Sequence, residues 1–102
     1  LRDANRVELS GRLIELETLR HTPAGVPVIE FRLQHESRRE EAGAERTVSA
    51  QIDAIAFEAQ ANLVSGAALG SPLRLEGFLA AKSRRSRKPV LHVTHIEFVE
   101  GD

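Results

Sequence analysis

The sequence predicts an all-β fold with one short helix, a five-stranded barrel, on three observations. Apolar and polar residues alternate in five separate stretches, the period-two pattern that turns one face of a strand to a core and the other to water. One alanine-rich stretch has helical spacing instead and falls between the third and fourth strands. The 102 residues are expected to form one domain over 1–102, because halves of that length would be too small to offset chain entropy.

Residues 6–13 read RVELSGRL, with Val7, Leu9 and Leu13 on one parity and Glu8, Ser10 and Arg12 on the other. Gly11 interrupts the apolar parity, as at a bulge or sharp coil in a barrel strand. The pattern continues less cleanly to about Leu19, predicting a long, bent first strand. Residues 21–27, HTPAGVP, punctuate a turn with two prolines and a glycine. Ile29, Phe31 and Leu33 then alternate with Glu30, Arg32 and Gln34 in a second strand, hairpin-joined to the first.

Residues 36–45, ESRREEAGAE, have no apolar period and carry both charge signs, which predicts a mobile loop. Val48, Ala50 and Ile52 alternate with Thr47, Ser49, Gln51 and Asp53 in a third strand. Asp53 is then expected to cap a helix of about three turns over AIAFEAQANLVSG, with Phe57, Ala61 and Val64 on its inner face and Gly66 as its stop. Pro72 opens a fourth strand in which Leu73, Leu75, Gly77 and Leu79 share a parity, and PVLHVTHIEFVE is the fifth. Three strands, a helix and two strands is the order of the OB fold, a five-stranded, partly open barrel.

The net charge of −1 would argue against a polyanionic partner, but the distribution overrules the total. Residues 79–96 contain no acid, while Lys82, Arg84, Arg85, Arg87 and Lys88 crowd into KSRRSRKP between the last two strands. A field is set by charge within a Debye length of about 8–10 Å, so this segment is positive whatever the sum. In an OB barrel the loop between strands four and five flanks the binding face. Cations there suit the phosphates of single-stranded nucleic acid without base readout. Outward Arg32 and Gln34, and Ser49 and Gln51, are expected around the same face; Arg12, Arg20 and Arg46 extend it.

Other chemistries find less support. The chain lacks cysteine, tryptophan and tyrosine, so thiolate sites are excluded and the aromatic stacking platforms of general single-strand binders are expected to be missing. Phe31 and Phe57 are expected in the core, and Phe78 on an outward parity. His92 and His95, three apart in a strand, are expected on opposite faces and unable to chelate one ion. No nucleophile, tuned carboxylate pair or phosphate-cradling glycine loop is present, so neither an enzyme nor a cofactor is expected. No apolar run approaches the roughly 20 residues of a membrane span, and a cytoplasmic address is expected.

NRVELSGRL at Asn5, TPAGVPVIEFRLQHES at Thr22, EEAGAER at Glu40, LEGFLA at Leu75 and LHVTHIEF at Leu91 give the chain a family resemblance. It resembles the PriB (primosomal replication protein N) family, relatives of the single-stranded DNA-binding proteins. The resemblance implies an OB-fold homodimer that binds single-stranded DNA, with the restart helicase and the helicase-loading factor of the primosome as partners. It carries the family's basic positions onto Arg20, Arg46 and the loop from Lys82 to Lys88. Ala44 and Ser49 stand where the family stacks bases on aromatics, and Glu15 and Glu36 where basic residues are expected. Weaker or differently arranged DNA binding follows. Open barrel edges give a homodimer an independent physical motive, with the first strand the candidate edge. The rival expectation is an OB adaptor whose face binds protein.

Overall fold

Alternating sequence becomes strand in the computed structural model, which describes residues 3–99. The elements are β1 (Val7–Leu16), β2 (Arg20–His21), β3 (Pro27–Glu41), β4 (Ala44–Phe57), α1 (Glu58–Ser65), β5 (Pro72–Ala81) and β6 (Pro89–Phe98). The sheet order is β1-β5-β6-β4-β3-β2, and β1 also pairs with β3. That last pairing closes five strands into the OB barrel, with the two-residue β2 hanging on the outside of β3. All pairings are antiparallel except β4 with β6.

The inward parities meet as predicted. Leu13, Phe31, Leu33, Leu73, Leu75, Leu91 and Val93 join one core, with Ala61 and Val64 of α1 packed against it. β1 serves two neighbours, running along β5 from Val7 to Arg12 and along β3 from Arg12 to Leu16. Gly11 sits beside that change of partner. A Cβ there would lie 2.3 Å from the Gln34 carbonyl oxygen, so only glycine lets the two backbones approach. The register shift itself falls between Leu13 and Glu15, two residues beyond the predicted interruption.

Four expectations are corrected. Residues 36–45 are not a loop: β3 and β4 run on in unbroken register to Glu41 and Ala44, turning at Ala42 and Gly43, both at positive φ. This arm lacks an apolar period because neither of its faces meets the core. Diagonal ion pairs, Arg38 with Glu45 and Arg46 with Glu41, hold it instead. Asp53 is no helix cap, since β4 continues to Phe57 and α1 spans only eight residues. Ala54 and Ala56 are small inward residues of a strand rather than helix formers. Phe57 consequently stays outside the core, as does Leu79 near the end of β5. Finally, His95 lies opposite Glu76 and Val93 opposite Gly77, so Thr94 is an extra residue in β6. The bulge flips the parity, placing His92 and His95 on the same outer face.

Candidate nucleic-acid interface

The outer face of β3 and β4 begins as a row of amides. Gln51 donates to Gln34 (2.9 Å) and Gln34 to the Ser49 hydroxyl (2.9 Å), with Arg12 opposite Gln34 across β1–β3. Next along the strands, Arg32 lies opposite Asp53 and Glu15. Its guanidinium donates from Nε to Asp53 Oδ1 (2.8 Å) and from Nη1 to Glu15 (2.5 Å). Beyond it, Arg20 on β2 pairs with Glu30 (2.9 Å). Glu15, Glu17, Glu30, Arg32, Asp53, Lys82 and Val90 line a cleft here, directly below the β5–β6 hairpin.

That hairpin carries the basic segment, and its serines shape it. Lys82 N–H donates to the Lys88 carbonyl (2.9 Å), and Ser83 N–H to the Ser86 carbonyl (3.0 Å). The Ser83 hydroxyl accepts from Ser86 N–H (3.0 Å), closing a tight turn around Arg84 and Arg85. Lys88, at the foot of the loop, reaches Asp53 Oδ2 at 2.8 Å. Hydrogen bonds from Lys88 and then Arg32, with their charges, hold the Asp53 carboxyl below its ordinary value, against its partial desolvation.

The nine predicted cations thus divide by partner. Arg20, Arg32, Arg46 and Lys88 each meet a carboxylate, and Arg12 donates to the Gly70 carbonyl (3.0 Å). Lys82, Arg84, Arg85 and Arg87 are exposed and pair with no acid among the described residues. Arg32 and Lys82 line the cleft, and Arg20 and Lys88 pair with Glu30 and Asp53 of its lining, while Arg12 is held at Gly70 and is not part of that lining. Arg46 does not join them: strict alternation along β4 puts it on the face opposite Ser49 and Gln51. Sequence reading named Glu15 as an acid where a base is expected and put Glu30 and Asp53 on outward parities, but it missed their pairing with the cations of this face. Glu15, Glu30 and Asp53 each sit directly across a strand from an outward residue of β3 or β4, and only the register reveals this.

Outside the cleft, Phe57 of β4, His92 of β6 and Phe78 of β5 form a row of near-parallel rings. The His92 centroid lies 5.1 Å from that of Phe78 at 16° and 6.3 Å from that of Phe57 at 23°.

A small closed OB barrel with a cationic hairpin beside a polar cleft defines the general class of single-strand-binding domains. Residues 5–95 match the family described as "Another single-strand binding protein family". Replication restart protein PriB of Bordetella pertussis is 40% identical over 97 residues, covering 95% of this chain and 91% of that protein. PriB of Nitrosomonas europaea is 39% identical over 89 residues, 87% of this chain and 82% of its own length. The structure of PriB from Ralstonia solanacearum matches with a TM-score of 0.84 at 33% identity, covering 95% of this chain and all of that one. The chain belongs to the PriB family of replication restart proteins, within that single-strand binding group.

Proposed function

We propose that residues 1–102 act as one OB domain that binds single-stranded DNA as an accessory factor in replication restart. Family membership supports the role, and one observation carries the site: Lys82, Arg84, Arg85 and Arg87 project from the β5–β6 hairpin uncompensated by any described acid. Phosphates that replace water around such cations release condensed counterions, so affinity comes without sequence readout. Arg12, Arg20, Arg32 and Lys88 border the path, and Arg46 contributes from the arm. The activity is binding rather than catalysis.

Two further assignments belong to this reading. The restart helicase and the helicase-loading factor are its protein partners, as the family relationship suggests. A second copy of the chain pairs through β1, whose residues 7–11 have, among the described residues, a strand on one side only, β5. No described helix is long and apolar enough to cross a membrane, and a replication role puts the protein with cytoplasmic DNA.

The test is a salt-series titration with a fluorescent oligonucleotide, on the unmodified protein and on an Arg84→Gln, Arg85→Gln, Arg87→Gln triple variant. For single strands log K falls with log salt at about −0.7 per phosphate contact, so removing three contacts flattens the slope by about 2. The melting curve stays nearly unchanged, because exposed loop charges contribute little to folding. The carboxylates of the cleft, Glu15, Glu17, Glu30 and Asp53, favour a second reading, an adaptor face for a basic protein segment. Absence of oligonucleotide affinity at low salt would overturn the first reading and favour the second.

A further inference from the structure

We propose that Phe57, His92 and Phe78 are a stacking platform for nucleobases, distinct from the cationic hairpin and continuous with it. The inference rests on the reading that this chain binds single-stranded DNA, and it adds where the bases go.

From Gln34 and Ser49 to Arg32 and Asp53 the outer face of β3 and β4 offers bases no ring. Its side chains are Arg32, Gln34, Ser49, Gln51 and Asp53, and the Ser49 hydroxyl and both amides are already engaged with one another. With no tryptophan or tyrosine in the sequence, any ring that meets a base must be phenylalanine or histidine. Of the four phenylalanines, Phe31 is buried in the core and Phe98 lies at the far end of β6, opposite Leu73. Phe57 and Phe78 remain, 39% and 41% exposed.

Their alignment follows from the register. Phe78 is directly opposite His92 across β5–β6; His92 is opposite Ile55 across β4–β6; and Phe57 stands two residues beyond Ile55 on the same face. Three strands thereby contribute one ring each to a single row. The inter-ring angles of 16° and 23° keep the rings nearly parallel, so a planar base adds to the row as another layer.

Continuity with the loop comes from the same two strands. Phe78, Ala80 and Lys82 share one parity of β5, while His92, Val90 and Lys88 share the facing parity of β6, with Ala80 paired to Val90. Val90 also lines the cleft. Four residues separate ring from lysine on each strand, about 13 Å. Small apolar side chains floor the interval; 79–96 itself holds no acid, and Asp53 of β4 beside it is already paired with Lys88 and Arg32. Glu76, the nearest carboxylate on β5, is tied to Arg6 at 2.9 Å. Rings at one end and lysines at the other match a strand whose bases and phosphates alternate, which a generic protein partner does not require.

The test is titration of a labelled oligothymidylate at low and high salt with Phe57→Leu, Phe78→Leu and the double variant. Leucine keeps an apolar side chain at each position while removing the ring face, and melting curves verify folding. The expected result for the double variant is a loss on the order of tenfold, equal at both salt concentrations, because stacking releases no counterions. A 2-aminopurine reporter in the strand should be quenched by the unmodified protein and less so by the double variant. Unchanged affinity in a folded double variant, while the loop triple variant loses binding, overturns the platform and leaves DNA binding intact. A loss that grows with the salt slope assigns the rings to positioning of the loop and overturns it too. If the unmodified protein binds no oligonucleotide at any salt, the underlying reading fails and the platform falls with it.

Discussion

Lys88 Nζ lies 2.8 Å from Asp53 Oδ2, an ion pair that pins the foot of the basic hairpin to the centre of β4. The other oxygen of the same carboxylate accepts from Arg32 Nε, also at 2.8 Å. One acid therefore compensates two of the cations that border the cleft. A phosphate arriving there has to displace a carboxylate already in place.

Replacing Asp53 with asparagine keeps the volume and removes that competition. The variant Asp53→Asn is expected to bind single-stranded DNA severalfold more tightly at low salt. Its salt slope should steepen by about 0.7, one added contact from Lys88, because Glu15 still holds Arg32. Anisotropy titrations over a salt series measure both. An unaltered slope would mean that Lys88 does not reach phosphate.

Acid sensitivity follows from the same carboxylate. The ordinary values are 3.8 for Asp53 and 4.5 for Glu76, and both are lowered in the fold, each first by a hydrogen bond from a cation, Lys88 and Arg6 respectively. A folded value below the unfolded one means stabilisation that is complete above the ordinary values and lost as pH falls through the depressed ones. Melting temperature should thus hold steady from neutrality to about pH 5 and then decline. Asp53→Asn should flatten part of that decline. Because both groups remain partly exposed to solvent, added salt should shrink the effect. A decline that Asp53→Asn leaves intact would place the acid sensitivity elsewhere.

The arm turn contains a correctable fault. Ala42 has φ of 53°, in the left-handed region, which costs an L-residue with a Cβ roughly 1–2 kcal/mol. Asparagine tolerates that conformation, and Asn-Gly is the preferred pair for two-residue hairpin turns. Ala42→Asn is expected to stabilise the protein by about 0.5 kcal/mol or more in urea unfolding. A destabilised variant would show that the turn is not formed in solution.

Gly77 should tolerate no side chain. A Cβ there would stand 2.0 Å from the His92 carbonyl oxygen and 3.1 Å from the Val93 Cα, backbone atoms that a rotamer change cannot move aside. Gly77→Ala is expected to cost at least the roughly 1–3 kcal/mol of core overpacking and to lower the denaturation midpoint. Gly66→Ala is the control, since nothing lies within 4 Å of its Cβ and its φ is −90°. Equal midpoints for the two would contradict the close strand approach.

Where side chains alternate against a core, the sequence was readable: Leu33, Leu73, Leu75 and Leu91 are buried as their parities require. The arm was not, because a ribbon with both faces in water has no hydrophobic period to detect; its signal is the charge complement of Arg38 with Glu45 and Glu41 with Arg46 about Ala42–Gly43. The start of α1 was misplaced because alanine is a good helix former, yet Ala54 and Ala56 serve as the small residues a crowded strand needs. The parity switch in β6 was visible in the three-residue step from Val93 to Ile96, which a regular strand cannot bury on one side. At the candidate site the cations of 82–88 stood out because they are contiguous. Asp53, Glu15 and the ring row depend on which strands become neighbours, and that is a property of topology.

The arm formed by the far halves of β3 and β4 has one more property. β1 reaches β3 only as far as Gln34, and β6 touches β4 only at Ala54–Ala56, so the outer backbone edges of residues 36–50 have no neighbouring strand among the described residues. Such borders invite addition of foreign chains, and it is the dense mixture of glutamates and arginines there that guards them. Exchanging those residues for neutral β-formers would turn a soluble protrusion into a seed for end-to-end polymerisation.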